Sequence, residues 1–290
     1  MQPAMLLPPR PAGTLFLGLA FGALGYFFFA LNDAMAKALL ADYSLAIVLL
    51  VRSIAALLFV APLVAKRGLK ASFKSTCPRL CLIRTICLTI EVSFFYAAVV
   101  YIPLAEALSL YMSAPIIVAV LSYFLGDKPT RAQWATILTG FLGVLIVLEP
   151  GTAMFNWPSL LALFSSSAFA VSIVVTHHMK DESNLTMILW QFIAVAVTGL
   201  LLGPDLGELQ DYTGMFRIGL LGLVSMLGYH LLNKAVRMTS PSIVAPMQYT
   251  LLLHATIFGV LFFNEMPTTT TLVGALLIIC SSAFLSKRSS

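Results

Sequence analysis

Long runs without charge restrict this chain more than any other feature. Residues 15–31, 185–204 and 238–264 contain no Asp, Glu, Lys or Arg. A helix rises 1.5 Å per residue, so about 20 such residues cross the roughly 30 Å of hydrocarbon in a bilayer. Strands of a membrane barrel would be about ten residues long and alternate in polarity. These runs are continuous, and a helix is the other structure that satisfies its own backbone in lipid. Composition agrees: 60% of the 290 residues are hydrophobic and 10% are charged, against roughly 25% charged in soluble domains. The expected class is all-α, a polytopic membrane protein.

Ten spans fit the pattern: 15–39, 44–65, 80–101, 104–125, 134–148, 159–178, 185–202, 216–236, 242–263 and 271–285. Pro103, Pro129, Pro158, Pro204, Pro241 and Pro267 stand at or beside boundaries, where a missing N–H does least harm. Pro115 and Pro246 fall inside spans, as kinks filled by packing or as hinges. The start, MQPAMLLPPRPAG, reads as a short flexible lead, and the first span as a retained anchor, not a cleaved signal.

The loops give an orientation. With a cytoplasmic N-terminus, thirteen cations lie inside: Arg10; Lys66, Arg67, Lys70, Lys74 and Arg79; Lys128 and Arg131; Lys180; Lys234 and Arg237; Lys287 and Arg288. Two, Lys37 and Arg217, lie outside. Such a bias places both termini in the cytoplasm, of a bacterial inner membrane. The net charge of +5 is therefore a topology signal and calls for no nucleic acid, because the basic residues form separate loops.

The two halves align at an offset of 138 residues. Pro103 then meets Pro241, Ala107 meets Ala245, Tyr111 meets Tyr249, Asp127 meets Glu265 and Pro129 meets Pro267. Each half holds five spans, residues 14–148 and 157–286. Five is odd, so the second unit enters from the opposite side. Inverted repeats of this kind characterise many secondary transporters, with the substrate site between the repeats near mid-membrane.

Residues 228–267, GYHLLNKAVRMTSPSIVAPMQYTLLLHATIFGVLFFNEMP, and their first-half counterpart at 94–129 resemble the drug/metabolite transporter superfamily, in its branch with two EamA domains. NDAMAKAL at 32–39 and Arg52 in the second span fit the same resemblance, which covers about residues 14–285. The first-half acid is Asp127 where many members carry Glu. The resemblance implies transport of amino acids, nucleotide-linked metabolites, vitamins or drugs, with patterns similar to S-adenosylmethionine importers and amino-acid exporters.

Polar groups within spans are costly and tend to face the interior or a wet cavity. The candidates for a substrate pathway are Asn32, Asp33, Arg52, Arg84, Glu91, Trp190, Gln191, Tyr229, Asn233, Gln248 and Tyr249. Asp33 and Lys37 have i,i+4 spacing and read either as a helix-end ion pair or as pathway residues. Arg84 and Glu91 share a helix face. Arg52 is the preferred partner of Glu91, which either locks two helices together or couples protonation or a cationic substrate to motion. Glu106 ranks lower, near the aqueous rim. Trp190 and Tyr249 read equally well as packing. His177 and His178 read mainly as interface residues.

Gly18 and Gly22 form a G-x-x-x-G pattern suited to close helix packing. The sequence has no GxxxxGK[ST] loop for ATP, no G-x-S-x-G elbow and no H-E-x-x-H helix. Cys77, Cys81, Cys87 and Cys280 are scattered and read as small apolar residues. The expectation is a non-enzyme without cofactor or metal. It moves small organic metabolites by proton coupling or substrate exchange, surrounded by membrane lipids; its oligomeric state is left open. The alternative is an intramembrane lipid-handling protein or lipid-modifying enzyme.

Overall fold

A computed structural model describes residues 12–102, 104–126, 129–148, 157–263 and 269–288. Pro103, Asp127, Glu265 and Pro267, matched by the repeat, lie outside these residues, as do Arg10 and Lys128; Glu106 is described in its backbone alone. The described residues form helices and turns, with no strand. In chain order the helices are α1 (Ala12–Leu40), α2 (Leu45–Arg67), α3 (Leu69–Phe73), α4 (Pro78–Tyr101), α5 (Leu104–Tyr111), α6 (Ala114–Phe124) and α7 (Arg131–Leu148). They continue with α8 (Trp157–His178), α9 (Asn184–Leu201), α10 (Tyr212–Met238), α11 (Pro241–Val244), α12 (Thr250–Phe263) and α13 (Thr269–Arg288). Six of them, α1, α2, α4, α8, α9 and α10, are long and apolar enough to cross a membrane.

Local sequence sets the ends. Ser44 caps α2 by accepting from the Ile47 amide, and Lys66 and Arg67 occupy its last turn, where cations oppose the helix dipole. Gly68, at φ 88°, ends α2 and lets α3 start at once. Pro78 opens α4 at a position whose N–H would have no helical partner. Asp211 caps α10 by accepting from the Thr213 and Gly214 amides.

The expected fourth and ninth spans are broken. Between α5 and α6 the chain turns at Met112 and Ser113. Pro115 has no N–H to offer the carbonyl of Tyr111, four residues back. That carbonyl instead accepts from the Ser166 hydroxyl at 3.1 Å and the Gln248 amide at 3.3 Å. Around Pro246 the ninth span tightens into a 3-10 segment, Ala245–Tyr249, between α11 and α12. Pro115 and Pro246 thus mark interruptions of the helix, with side chains from other helices satisfying the backbone freed at Pro115, whereas Pro62 lies within an unbroken α2.

Packing follows a reciprocal scheme. α1 lies along α10 and α4 along α8; α2 pairs with α9 and α7 with α13; α2 also meets α10, while α4 meets α9. The glycine pattern in α1 forms part of the first seam: a Cβ at Gly18 would come within 2.4 Å of the Thr239 methyl, and one at Gly22 within 3.0 Å of the Met247 sulfur. Close helix contact of this kind is the main attraction in lipid.

Candidate functional site

Where these helices cross lies a narrow pocket lined by residues of both halves of the chain. α1 contributes Tyr26, Phe29, Asn32 and Asp33, one helical face at spacings of three, six and seven. α2 contributes Arg52. α4 contributes Glu91, Val92, Phe95 and Tyr96, again a single face. Tyr111 comes from the end of α5, Phe169 from α8, Tyr229 from α10 and Leu251 from α12.

The polar groups of the pocket are held by phenols and an amide. Glu91 accepts from Tyr111 through Oε1 at 2.9 Å and from Tyr229 through Oε2 at 2.8 Å. Arg52 donates through Nη1 to the Tyr96 hydroxyl at 2.5 Å, with its guanidinium 5.1 Å from the centre of that ring. The expected Arg52 partner of Glu91 is therefore replaced by two tyrosines. Asn32 donates to Asp33 at 3.1 Å and to Tyr96 at 3.2 Å. Asp33 lines the pocket whereas Lys37, its expected helix-end partner, is exposed. Two lining donors, Arg52 Nε and the Tyr26 hydroxyl, are buried without a hydrogen-bond partner.

A second polar cluster sits nearer the start of α4. Arg84, 1% exposed, donates to Thr176 Oγ1 at 2.9 Å, the Met187 carbonyl at 3.3 Å, Gln191 Oε1 at 3.3 Å and Asn233 Oδ1 at 2.8 Å. It ties α4 to α8, α9 and α10 at once. Beyond it, Glu182 in the α8–α9 turn accepts from the Thr76 amide at 2.8 Å and the Thr76 hydroxyl at 3.1 Å, and from the Ser75 hydroxyl. Burial pushes the Glu182 carboxyl up. Hydrogen bonds from Ser75 and from the Ser183, Thr76 and Cys77 amides outweigh this and hold it below the usual glutamate range. At the other end of the bundle, Glu208 accepts from the Ser44 amide at 3.0 Å and hydroxyl at 3.2 Å, and Tyr43 donates to Asp211. Each end therefore carries a carboxylate latch between the two halves of the chain.

The profile of the EamA-like transporter family matches twice, at residues 16–149 and 156–287. The chain belongs to that family. Its similar proteins include the riboflavin transporter of Vibrio cholerae, 27% identical over 83% of this chain and 82% of that protein. The S-adenosylmethionine uptake transporter of Rickettsia bellii is 26% identical over 74% and 75%. The pseudopaline exporter of Pseudomonas aeruginosa is 27% identical over 93% and 96%. A crystal structure 16% identical in sequence has a TM-score of 0.77 and covers 96% of this chain and 98% of its own, a likeness in fold. This EamA chain is thus a membrane transporter of small metabolites by kinship, with six apolar helices able to span a bilayer.

Of the pathway residues read from sequence, the pocket takes Asn32, Asp33, Arg52, Glu91 and Tyr229. Arg84, Gln191 and Asn233 form the second cluster. The other three line neither. Trp190 donates to the Phe73 carbonyl at 3.4 Å and packs against the buried cluster of Cys81, Met179 and Met187. Gln248 serves the Tyr111 carbonyl, and the Tyr249 hydroxyl donates to the Ile137 carbonyl on α7 at 3.2 Å. The aromatic wall went unread. Phe95 is four residues from Glu91, and Phe29 and Tyr26 are four and seven residues before Asp33, so helical spacing from an intramembrane acid would have found them. Phe169 carries no such signal.

Proposed function

We propose that this chain is a secondary active transporter of small organic metabolites, amino acids or related compounds such as S-adenosylmethionine, working by alternating access. The observation that carries the reading is the pocket itself: a buried, charged and aromatic chamber lined by residues of both EamA domains. A folded membrane protein retains intramembrane acids and guanidinium groups at considerable cost, and a substrate pathway is their common use. Ten spans in two inverted five-helix units fit the reciprocal packing, in which α1, α2, α4 and α7 exchange roles with α8, α9, α10 and α13. The broken fourth and ninth spans suit a site near the midplane. In this reading the units rock about the pocket while the latches at Glu182 and Glu208 open in turn, driven by proton coupling or substrate exchange. Both termini face the cytoplasm of a bacterial inner membrane. The test is a screen of uptake and counterflow in sealed liposomes against a panel of amino acids, S-adenosylmethionine and vitamins. Saturable movement of one compound supports the reading. Protein that is folded and inserted but moves none of them, in either direction, contradicts it.

A further inference from the structure

We propose that α3 is an anchor for anionic phospholipid, and that lipid bound there holds the Glu182 latch closed. Between Asp42 and Glu91 the chain carries no acid, yet Lys66, Arg67, Lys70, Lys74 and Arg79 crowd into residues 66–79. All five side chains are exposed. Leu69 and Phe73 are exposed beside them, Leu69 by 66%; four residues apart, they share a face of α3. Along α2, Leu58, Phe59 and Leu63 are exposed as well, a run of apolar side chains that suits lipid tails. Gly68, at φ 88°, turns the chain where α2 ends, and α3 starts at once. Leu69 and Phe73 therefore continue the lipid face of α2 at the hydrocarbon edge, with Lys70 and Lys74 among the headgroups. Short basic amphipathic segments beside a spanning helix bind anionic lipid in this way, each Lys or Arg near the surface being worth about fivefold in affinity. An acidic soluble protein or a free phosphate would meet the lysines and leave Leu69 and Phe73 in water.

The other half of the chain sets this segment apart. At the 138-residue offset, residues 66–74 meet 204–212, which hold Asp205, Glu208 and Asp211 and no cation. Lys70 meets Glu208, and Ser44 meets Glu182. Glu208 closes its own latch by accepting from Ser44. At the opposite end the acid, Glu182, stands in the turn, and its donors are Ser75, Thr76 and Cys77. Closing that latch makes no use of Lys70 or Lys74, so their charge is available to a partner outside the chain. What binds them acts on the latch through a short lever. α3 packs on α2 and α9, and its Phe73 carbonyl accepts from Trp190 on α9 at 3.4 Å. Only Lys74 separates Phe73 from Ser75. The Thr76 and Cys77 amides then donate to Glu182 at 2.8 and 3.4 Å. Lipid that holds α3 in place thus restrains the donors on which Glu182 closes.

Native mass spectrometry of the full-length protein in detergent tests the anchor, with phosphatidylglycerol, phosphatidylcholine and glycerol 3-phosphate as probes. Phosphatidylglycerol binds at least about tenfold more tightly than phosphatidylcholine, and glycerol 3-phosphate, which lacks the chains, is not retained. Lys70→Gln with Lys74→Gln removes most of the preference, and Leu69→Gln weakens the binding of phosphatidylglycerol. Lys37→Gln with Arg217→Gln, an equal loss of charge at exposed positions elsewhere, leaves the preference intact. For the latch, Cys77 is kept as the single cysteine in nanodiscs. It is alkylated several-fold more slowly when phosphatidylglycerol replaces half of the phosphatidylcholine, and the double lysine variant reacts at one rate in both. Equal affinity for the two lipids overturns the proposal. So does a preference that survives the α3 lysine changes, or one that the Lys37 and Arg217 control abolishes as well. Retention of glycerol 3-phosphate makes this a site for free phosphate and overturns the lipid anchor. A lipid preference with Cys77 equally reactive in both nanodiscs overturns the hold on the latch. Each readout is independent of whether any metabolite is moved.

Discussion

Tyr229 donates to Glu91 across the pocket at 2.8 Å, and the two residues are 138 positions apart, the same offset that aligns the two halves of the sequence. Residues at equivalent places in two copies touch only beside the axis that relates the copies, as in an isologous interface. In the proposed arrangement of inverted repeats, the contact puts α4 and α10 on either side of that axis. In that arrangement, an acid then faces a phenol beside the axis.

Tyr229→Phe leaves the buried Glu91 carboxylate with one phenolic donor instead of two. Losing a hydrogen bond to a charged group costs about 2 kcal/mol, so the melting temperature in detergent falls. Glu91→Gln keeps the size and removes the charge. It yields a folded protein that retains exchange and loses gradient-driven accumulation in liposomes. Full accumulation in Glu91→Gln excludes a coupling role for this carboxylate.

The α2–α10 crossing depends on Gly222. A Cβ there would lie 2.1 Å from the Arg52 carbonyl oxygen, and backbone cannot yield as a side chain does. Gly222→Ala separates the helices at the level of Arg52, at a cost of about 1–3 kcal/mol from overpacking. Transport falls, and a cysteine introduced near Ser53 becomes more reactive. Gly219→Ala, whose Cβ would meet nothing nearer than 3.7 Å, is the control and is tolerated.

The Glu182 latch is sensitive to acid. Its carboxyl is held below the ordinary value, so the folded state binds its proton less readily than the unfolded state. The stabilisation is complete at pH above about 4.3, the unperturbed glutamate value, and is lost as pH falls through the lower folded value. Thermal melts between pH 7 and pH 3 show a loss in the acid limb that Glu182→Gln reduces. Cysteine labelling of intact cells places Lys70, beside this latch, in the cytoplasm and Glu208 outside. Labelling of both from one face contradicts the inverted arrangement.

Tyr249 anchors the ninth span to α7 through the Ile137 carbonyl and lies outside the pocket. Tyr249→Phe lowers stability by about 1 kcal/mol, the net worth of a typical hydrogen bond, and leaves substrate affinity unchanged. A weaker affinity at unchanged stability would bring Tyr249 back to the pathway.

Six of the ten expected membrane spans are matched by helices long and apolar enough to cross a bilayer, because hydrocarbon imposes one simple rule, apolar length, and the chain obeys it in residues such as 185–204. Interruptions were half legible. Pro115 and Pro246 marked the places, but a kink and a break differ only in which carbonyl is orphaned and who answers it. Ser166 and Gln248 answer Tyr111 from other helices, and no local pattern announces that. At the site, burial cost drew attention to Arg52, Glu91 and Asp33. Pairing was misread because opposite charges on neighbouring helices suggest each other, whereas the phenols of Tyr96, Tyr111 and Tyr229 reach them first. Trp190 was misplaced because an indole within a span gives no sign of which side of its helix meets the pocket.

Alternating exposure of the pocket is tested most directly at Phe169, a lining residue 2% exposed. Cys77, Cys81, Cys87 and Cys280 are first replaced, Phe169→Cys is introduced, and the protein is reconstituted in one orientation. A membrane-impermeant maleimide is then added to one face at a time during counterflow. The account predicts labelling from either face, slowed from both by substrate. Labelling from a single face, or from neither while transport continues, would contradict it.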